Sequence, residues 1–144
     1  MNIYFDMDGT IANLYGVADW LNYLINEDTT PYKEAKVMVN MNALARRLNG
    51  LKRKGYKVGI ISWTSKGGSE EYNKAVTEVK KAWLAKHLKS VEFDFINIVP
   101  YGYAKENFAE SENDILFDDE ERNRINWTGK AYDVNDILDV LRNV

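Results

Sequence analysis

Short apolar runs alternate with helical stripes along this chain, and that alternation predicts its fold. Ile3, Tyr4 and Phe5 form a run with strand propensity, too short for a helix. From Asn13 to Asn26, Leu14, Val17, Ala18, Leu21, Leu24 and Ile25 recur at helical spacing and predict a helix. Glu27 to Tyr32 reads as a loop ending in a proline turn. A second helix, Asn40 to Lys54, aligns Met41, Leu44, Ala45, Leu48 and Leu51, with Gly55 as its terminator. Lys57 to Ser62 is the second strand, and Ser69 to His87 a helix striped by Tyr72, Val76, Val79 and Trp83. Phe93 to Val99 predicts a third strand, followed by a turn at Pro100 to Tyr103. Asp114 to Asp119 is the fourth strand, Lys130 to Asp133 a weak fifth, and Val134 to Leu141 a closing helix. Strands alternating with helices predict a parallel sheet covered on both faces, a three-layer Rossmann-like α/β fold. Residues 11 to 40 would form a small helical insertion directly after the first strand.

Composition narrows the chemistry. The 144 residues fit one domain. Nineteen basic against 22 acidic residues give a net charge of −3, which argues against strong nonspecific nucleic-acid binding. Binding of a single nucleotide or a strand end stays open. No cysteine is present, so disulfides and thiolate metal sites are excluded, and one histidine excludes a multi-histidine zinc site. The first residues lack a signal-peptide pattern, and no apolar run reaches membrane-spanning length. The expectation is therefore a cytoplasmic protein with no membrane partner. Nothing in the pattern specifies an oligomeric state.

Candidate chemistry gathers where strands end. Asp6 and Asp8 flank one apolar residue, so an extended backbone through Met7 would project both carboxylates to one side. Gly9 permits the sharp departure that follows. Open parallel sheets place their ligands at this end of the strands, and two carboxylates there repel unless a cation or shared proton intervenes. The second strand ends in Ser62, followed by Thr64, Ser65, Lys66 and two glycines, donors without bulk that suit a phosphate. Lys105 precedes the fourth strand, which ends in Asp118 and Asp119. Oxygen donors of this kind suit Mg²⁺, which leaves room for a substrate phosphate. A carboxylate is a competent nucleophile on phosphorus. Its repulsion from a phosphate, on the order of 4 kcal/mol per charge pair at about 4 Å and an effective dielectric near 20, must be offset by the cation and a lysine.

Asp6-Met7-Asp8-Gly9-Thr10, the strand ending in Ser62, Lys105, and the strand ending in Asp118-Asp119 resemble, in that order, the four motifs of the haloacid dehalogenase superfamily. Within it, Phe5 to Gly9, the stretch Lys80 to Leu88, Asp114 to Asp119, and Trp127 followed by Gly129 resemble the 5′(3′)-deoxyribonucleotidases. The resemblance implies one hydrolase domain over residues 1–144, capped by the small insertion at about 11–40. It further implies Mg²⁺-dependent phosphomonoester hydrolysis through an aspartyl-phosphate. By that resemblance Asp6 is the nucleophile and a metal ligand, and Asp8 is the general acid/base, with its backbone carbonyl on the metal. Ser62, or alternatively Thr64, binds the phosphoryl group. Lys105, or alternatively Lys66, neutralises charge. Asp118 ligates the metal, and Asp119 ligates it or orients through water.

The implied substrate is a small phosphorylated molecule, a nucleoside monophosphate, with its base near Tyr15, Trp20, Tyr23, Tyr32 or Trp63. Two other functions stay open: a phosphatase of nucleic-acid ends, and a noncatalytic phosphate-binding protein of the same fold. The presence of both Asp6 and Asp8 counts against the last.

Overall fold

A computed structural model describes residues 1–144. The first half of the chain forms β1 (Asn2–Phe5), β2 (Ala12–Asn13), α1 (Trp20–Ile25), α2 (Thr30–Glu34), β3 (Lys36–Val37) and α3 (Met41–Arg53). The second half forms β4 (Lys57–Trp63), α4 (Glu70–His87), β5 (Phe95–Val99), β6 (Ile115–Phe117), α5 (Glu121–Asn126), β7 (Lys130–Tyr132) and α6 (Ile137–Arg142). The main sheet runs β5-β4-β1-β6-β7, with every pairing parallel. β1 is central, so the expected three-layer α/β architecture is the one observed.

Burial explains why these runs became strands. All of β1 is buried, as is β4 from Val58 onward, the continuous apolar pattern of a sheet covered on both faces. Alternation then divides β1 between two layers. Ile3 and Phe5 pack with Leu44, Leu48 and Leu51 of α3 and with Trp83 and Leu84 of α4. Tyr4 points the other way, into a cluster with Ile61, Leu116 and Trp127. Side-chain caps fix where the long helices begin: Asn40 accepts from the Ala43 amide at 3.0 Å, and Ser69 from the Tyr72 amide at 3.1 Å.

The largest departure from expectation lies between residues 12 and 37. No helix spans 13 to 26. β2 and β3 pair antiparallel as a stem, and above it stand a 3-10 turn at Leu14–Gly16, then α1, then α2. Leu14 is buried against Tyr32, Tyr72 and Val76, whereas no residue of α1 is buried. A glycine at position 16 costs a helix about 1 kcal/mol. Beyond it Leu21, Leu24 and Ile25 border an open cavity, and of these Leu24 packs on the cluster around Leu14, which leaves little packing to sustain a longer helix. Pro31, expected in a loop, instead opens α2, in the first turn where its missing N–H costs nothing. The closing helix is also shorter, a 3-10 turn at Val134–Asp136 leading into α6. No helix is long and apolar enough to cross a membrane.

Candidate active site

Strand register brings the acids together. Phe5 pairs with Phe117 across β1 and β6, and the Asp6 amide donates to the Phe117 carbonyl at 2.9 Å. The residues that follow each strand, Asp6 and Asp118, therefore emerge side by side at the carboxyl end. The chain then turns tightly. The amides of Thr10, Ile11 and Ala12 converge on the Met7 carbonyl at 3.0, 3.0 and 2.9 Å. At the bend Gly9 has a φ of 79°, and a side chain there would overlap the Asp119 carboxylate. Only glycine meets both conditions. The turn, rather than a continued strand, is what keeps Asp8 on the same cavity as Asp6.

Two buried lysines divide the acids between them. Lys105 donates to Asp6 Oδ1 and to Asp118 Oδ2, both at 2.8 Å. Thr10 donates to Asp6 Oδ2 at 3.0 Å, Asn123 to Asp118 Oδ2 at 3.1 Å, and the Glu120 amide to Asp118 Oδ1 at 2.9 Å. Lys80 donates to Asp8 Oδ2 at 2.8 Å, to Ser62 Oγ at 2.7 Å and to the Trp63 carbonyl at 2.6 Å.

Those partners set the protonation of the site. Burial raises the Asp6 carboxyl, but the charge and hydrogen bond of Lys105 outweigh it and hold the group below the usual range. Burial pushes Asp8 upward, only partly opposed by Lys80. Burial, then the Asp6 charge, push Asp118 up to about 6 and Asp119 up to about 8. Lys105, drawn down by burial, is carried above its ordinary value by Asp6 and Asp118 and stays charged. Fully ionised, the four acids would outnumber the two ammonium groups by two charges, a deficit that a bound dication would fill. Asp6, Asp118 and Asp119 each offer one carboxylate oxygen within 4.8 Å of the others, a hard-donor set that fits Mg²⁺.

A cavity of about 460 Å³ opens above this floor. Asp6, Asp8, Thr64, Lys105, Asp118 and Asp119 line it, and so do Lys66, Tyr15, Trp20, Tyr32 and Trp63. Ser62 does not. β4 continues one residue further than expected, through Trp63, so Ser62 is fully buried and its hydroxyl accepts from Lys80. The first hydroxyl beyond the strand belongs to Thr64, with Ser65 next to it on the cavity. Tyr23 is also absent from the lining, while Tyr101, not anticipated, is present. Asp8 stands apart from the three-carboxylate group, its side chain paired with Lys80. Lys66 sits at the rim with its ammonium 5.8 Å from the Tyr101 ring, leaving Lys105 as the lysine at Asp6.

Lys80 was not singled out from the sequence as a site residue. Its signal was a charge on the buried stripe of α4, among Tyr72, Val76, Trp83 and Leu84.

An acid-lined cavity across the central strand ends, where the strand order reverses, defines a doubly wound α/β protein with its ligand site at the switch point. Among solved structures, the fold is shared with D,D-heptose 1,7-bisphosphate phosphatase from B. bronchiseptica, determined with magnesium and phosphate. That match has a TM-score of 0.56 and 15% identity, over 90% of this chain and 77% of that one. The enzyme of the same name from Burkholderia thailandensis matches at 0.50 and 15%, over 85% and 68%. A chain of a Pnkp1/Rnl/Hen1 complex matches at 0.53 and 22%, over 92% of this chain but 44% of that one, so this protein spans less than half its length. No protein family and no curated protein matches the sequence. What is shared is the fold, the parallel α/β sheet that the alternation of strands and helices predicts.

Proposed function

We propose that this protein is a Mg²⁺-dependent phosphomonoesterase acting on nucleoside monophosphates through an aspartyl-phosphate. The observation that carries the proposal is the separation of two carboxylates on one cavity. Asp6 is held as an anion by Lys105, while Asp8 is pushed upward by burial and paired to a different lysine. Groups whose environments drive them apart in this way suit the roles of nucleophile and acid.

In the first half-reaction a carboxylate oxygen of Asp6 attacks phosphorus and the bond to the ester oxygen breaks. Asp8 gives that oxygen its proton. In the second, Asp8 takes a proton from water, which attacks the phosphorus of the acyl phosphate and releases Asp6 and inorganic phosphate. Thr64, with Ser65 beside it, takes the phosphoryl-binding role first assigned to Ser62 or Thr64. Lys105 offsets charge between nucleophile and phosphate. Mg²⁺ held by Asp6, Asp118 and Asp119, with the Asp8 carbonyl as the further ligand the resemblance implies, would draw charge from the phosphoryl oxygens.

The wall of the cavity supports the nucleotide. Tyr15, Trp20, Trp63 and Tyr101 border it, and its volume is in the range of small-ligand sites. Stacking of a base on such rings is worth about 1–3 kcal/mol. Residues 12 to 37 serve as the cap in this scheme.

A panel of phosphate esters assayed with Mg²⁺ should rank nucleoside monophosphates above sugar phosphates. The opposite ranking would remove the nucleotide from the proposal. A second reading, a phosphatase of nucleic-acid ends, is favoured by the smallness of the insertion, in which α1 has only six residues. Clear preference for a 3′-phosphorylated oligonucleotide in the same panel would put that reading first.

A further inference from the structure

We infer that Lys80 is a positioning residue for Asp8, fixing which carboxylate oxygen meets the leaving group. The inference rests on the proposed phosphatase reaction and deepens it. Lys80 occupies a place on α4 where its neighbours Tyr72, Val76, Trp83 and Leu84 are all buried, and it is itself 1% exposed. An ammonium group so deeply buried is costly unless every donor is matched. Here each is. Asp8 Oδ2, Ser62 Oγ and the Trp63 carbonyl take the three N–H groups, and the Tyr32 ring lies 5.2 Å from the nitrogen.

Two consequences follow from that saturation. Lys80 has no donor left for a phosphate, and it is absent from the cavity lining, so whatever it does for the reaction passes through Asp8. Two of its three partners belong to the end of β4, so the third, in the loop after β1, is registered against the sheet. Asp8 Oδ2 is clamped by this bond, and Oδ1 makes no hydrogen bond to the protein. Oδ1 is therefore the oxygen that delivers its proton to the ester oxygen as the P–O bond breaks, and that receives a proton from water in the second half-reaction. An ion pair serving stability alone is commonly replaced by apolar side chains without loss. Lys105 offers the contrast: it bonds the nucleophile directly, lines the cavity and needs no intermediary.

The test compares kcat/KM, which reports events through the first P–O cleavage, for an alkyl phosphate and for dinitrophenyl phosphate. A poor leaving group needs the proton from Asp8 and a good one does not. Lys80→Met should lower the alkyl value roughly 100-fold and the dinitrophenyl value less than about fivefold. Adding Lys80→Met to Asp8→Asn should change the alkyl value by less than about twofold, because the group acted upon is already gone. Thermal unfolding of each variant accompanies the kinetics. Should the methionine variant not fold, Lys80→Gln, which keeps a donor without the charge, carries the same comparison. Equal losses on both esters, or losses that multiply with those of Asp8→Asn, would overturn the inference while leaving the phosphatase intact. A wild-type protein inert toward every ester with Mg²⁺ would overturn the proposed function, and the inference with it.

Discussion

The floor and the wall of the cavity are built to different standards. On the floor, Asp6, Lys105 and Asp118 are all under 10% exposed, as are Ser62 and Lys80 behind it, and every buried side-chain polar atom has a partner. On the wall, α1 buries nothing, Leu21 and Ile25 are more than half exposed, and the helix is flanked by Asp19 and Glu27 at φ values of 59° and 54°. These two are the only non-glycine residues in the chain with positive φ. A floor fixed by the sheet suits chemistry that depends on distances of a few tenths of an ångström. A wall with exposed apolar side chains has surface still to bury, which the base of the proposed nucleotide would cover.

The comparison breaks most sharply at Asp6. Asp6→Asn keeps the shape of the floor but removes the charge of the proposed nucleophile, and should lower kcat by roughly 10⁴-fold or more for every ester, base or no base. Circular dichroism should stay native. Substantial residual turnover would mean that the floor works by another nucleophile.

Trp20→Ala probes the wall alone. Trp20 packs edge-on against Tyr15, with ring centroids 4.9 Å apart, and both line the cavity. Its loss should cost roughly five- to a hundredfold in kcat/KM for a nucleotide and almost nothing for a simple aryl phosphate. If both substrates fall together, the wall is only a support for the floor.

Much of the floor is legible in the sequence because each candidate group ends or precedes an apolar run that becomes a strand of one parallel sheet. An apolar run ending in acids carries its own address, the carboxyl end of a buried parallel strand, and Asp6, Asp118 and Asp119 were placed from that alone. The buried place of Ser62 is not legible in the sequence, because β4 runs one residue beyond the hydroxyl, through Trp63. Strand ends depend on the neighbouring strand, and Trp63 pairs with Val99 of β5 across a distance in sequence no local pattern reveals. The wall was least legible. Leu14 to Ile25 has helical spacing, but spacing only predicts a helix if something packs on the stripe, and here Leu14 and Leu24 meet the core while Leu21 and Ile25 face the open cavity. Lys80 escaped for the converse reason, since a charge within an apolar stripe reads as an exposed turn of the helix until its partners are seen.

The smallest expected effect is on stability. Asp118 and Asp119 titrate near 6 and 8 in the folded protein, above their ordinary carboxyl values. Between about pH 4 and pH 8 the folded state therefore holds protons that the unfolded chain has released, and stability falls as pH rises. Without metal, Tm should drop by roughly 5 °C between about pH 5 and about pH 8. Mg²⁺, binding the same oxygens, should restore it more at the higher pH. A metal-free Tm that rises over this range would contradict the crowding of acids on the floor.

The central claim is that Asp6 carries the phosphoryl group between two half-reactions, and acid quenching of a reaction with labelled substrate tests it directly. Dinitrophenyl phosphate, labelled in its phosphate, has a leaving group that needs no proton. With it the Asp8→Asn variant should still form the acyl phosphate but no longer activate water. Label should therefore accumulate on the peptide containing Asp6 and be released by hydroxylamine. Label on Thr64 or Ser65, or turnover with no label on the protein at all, would contradict the account.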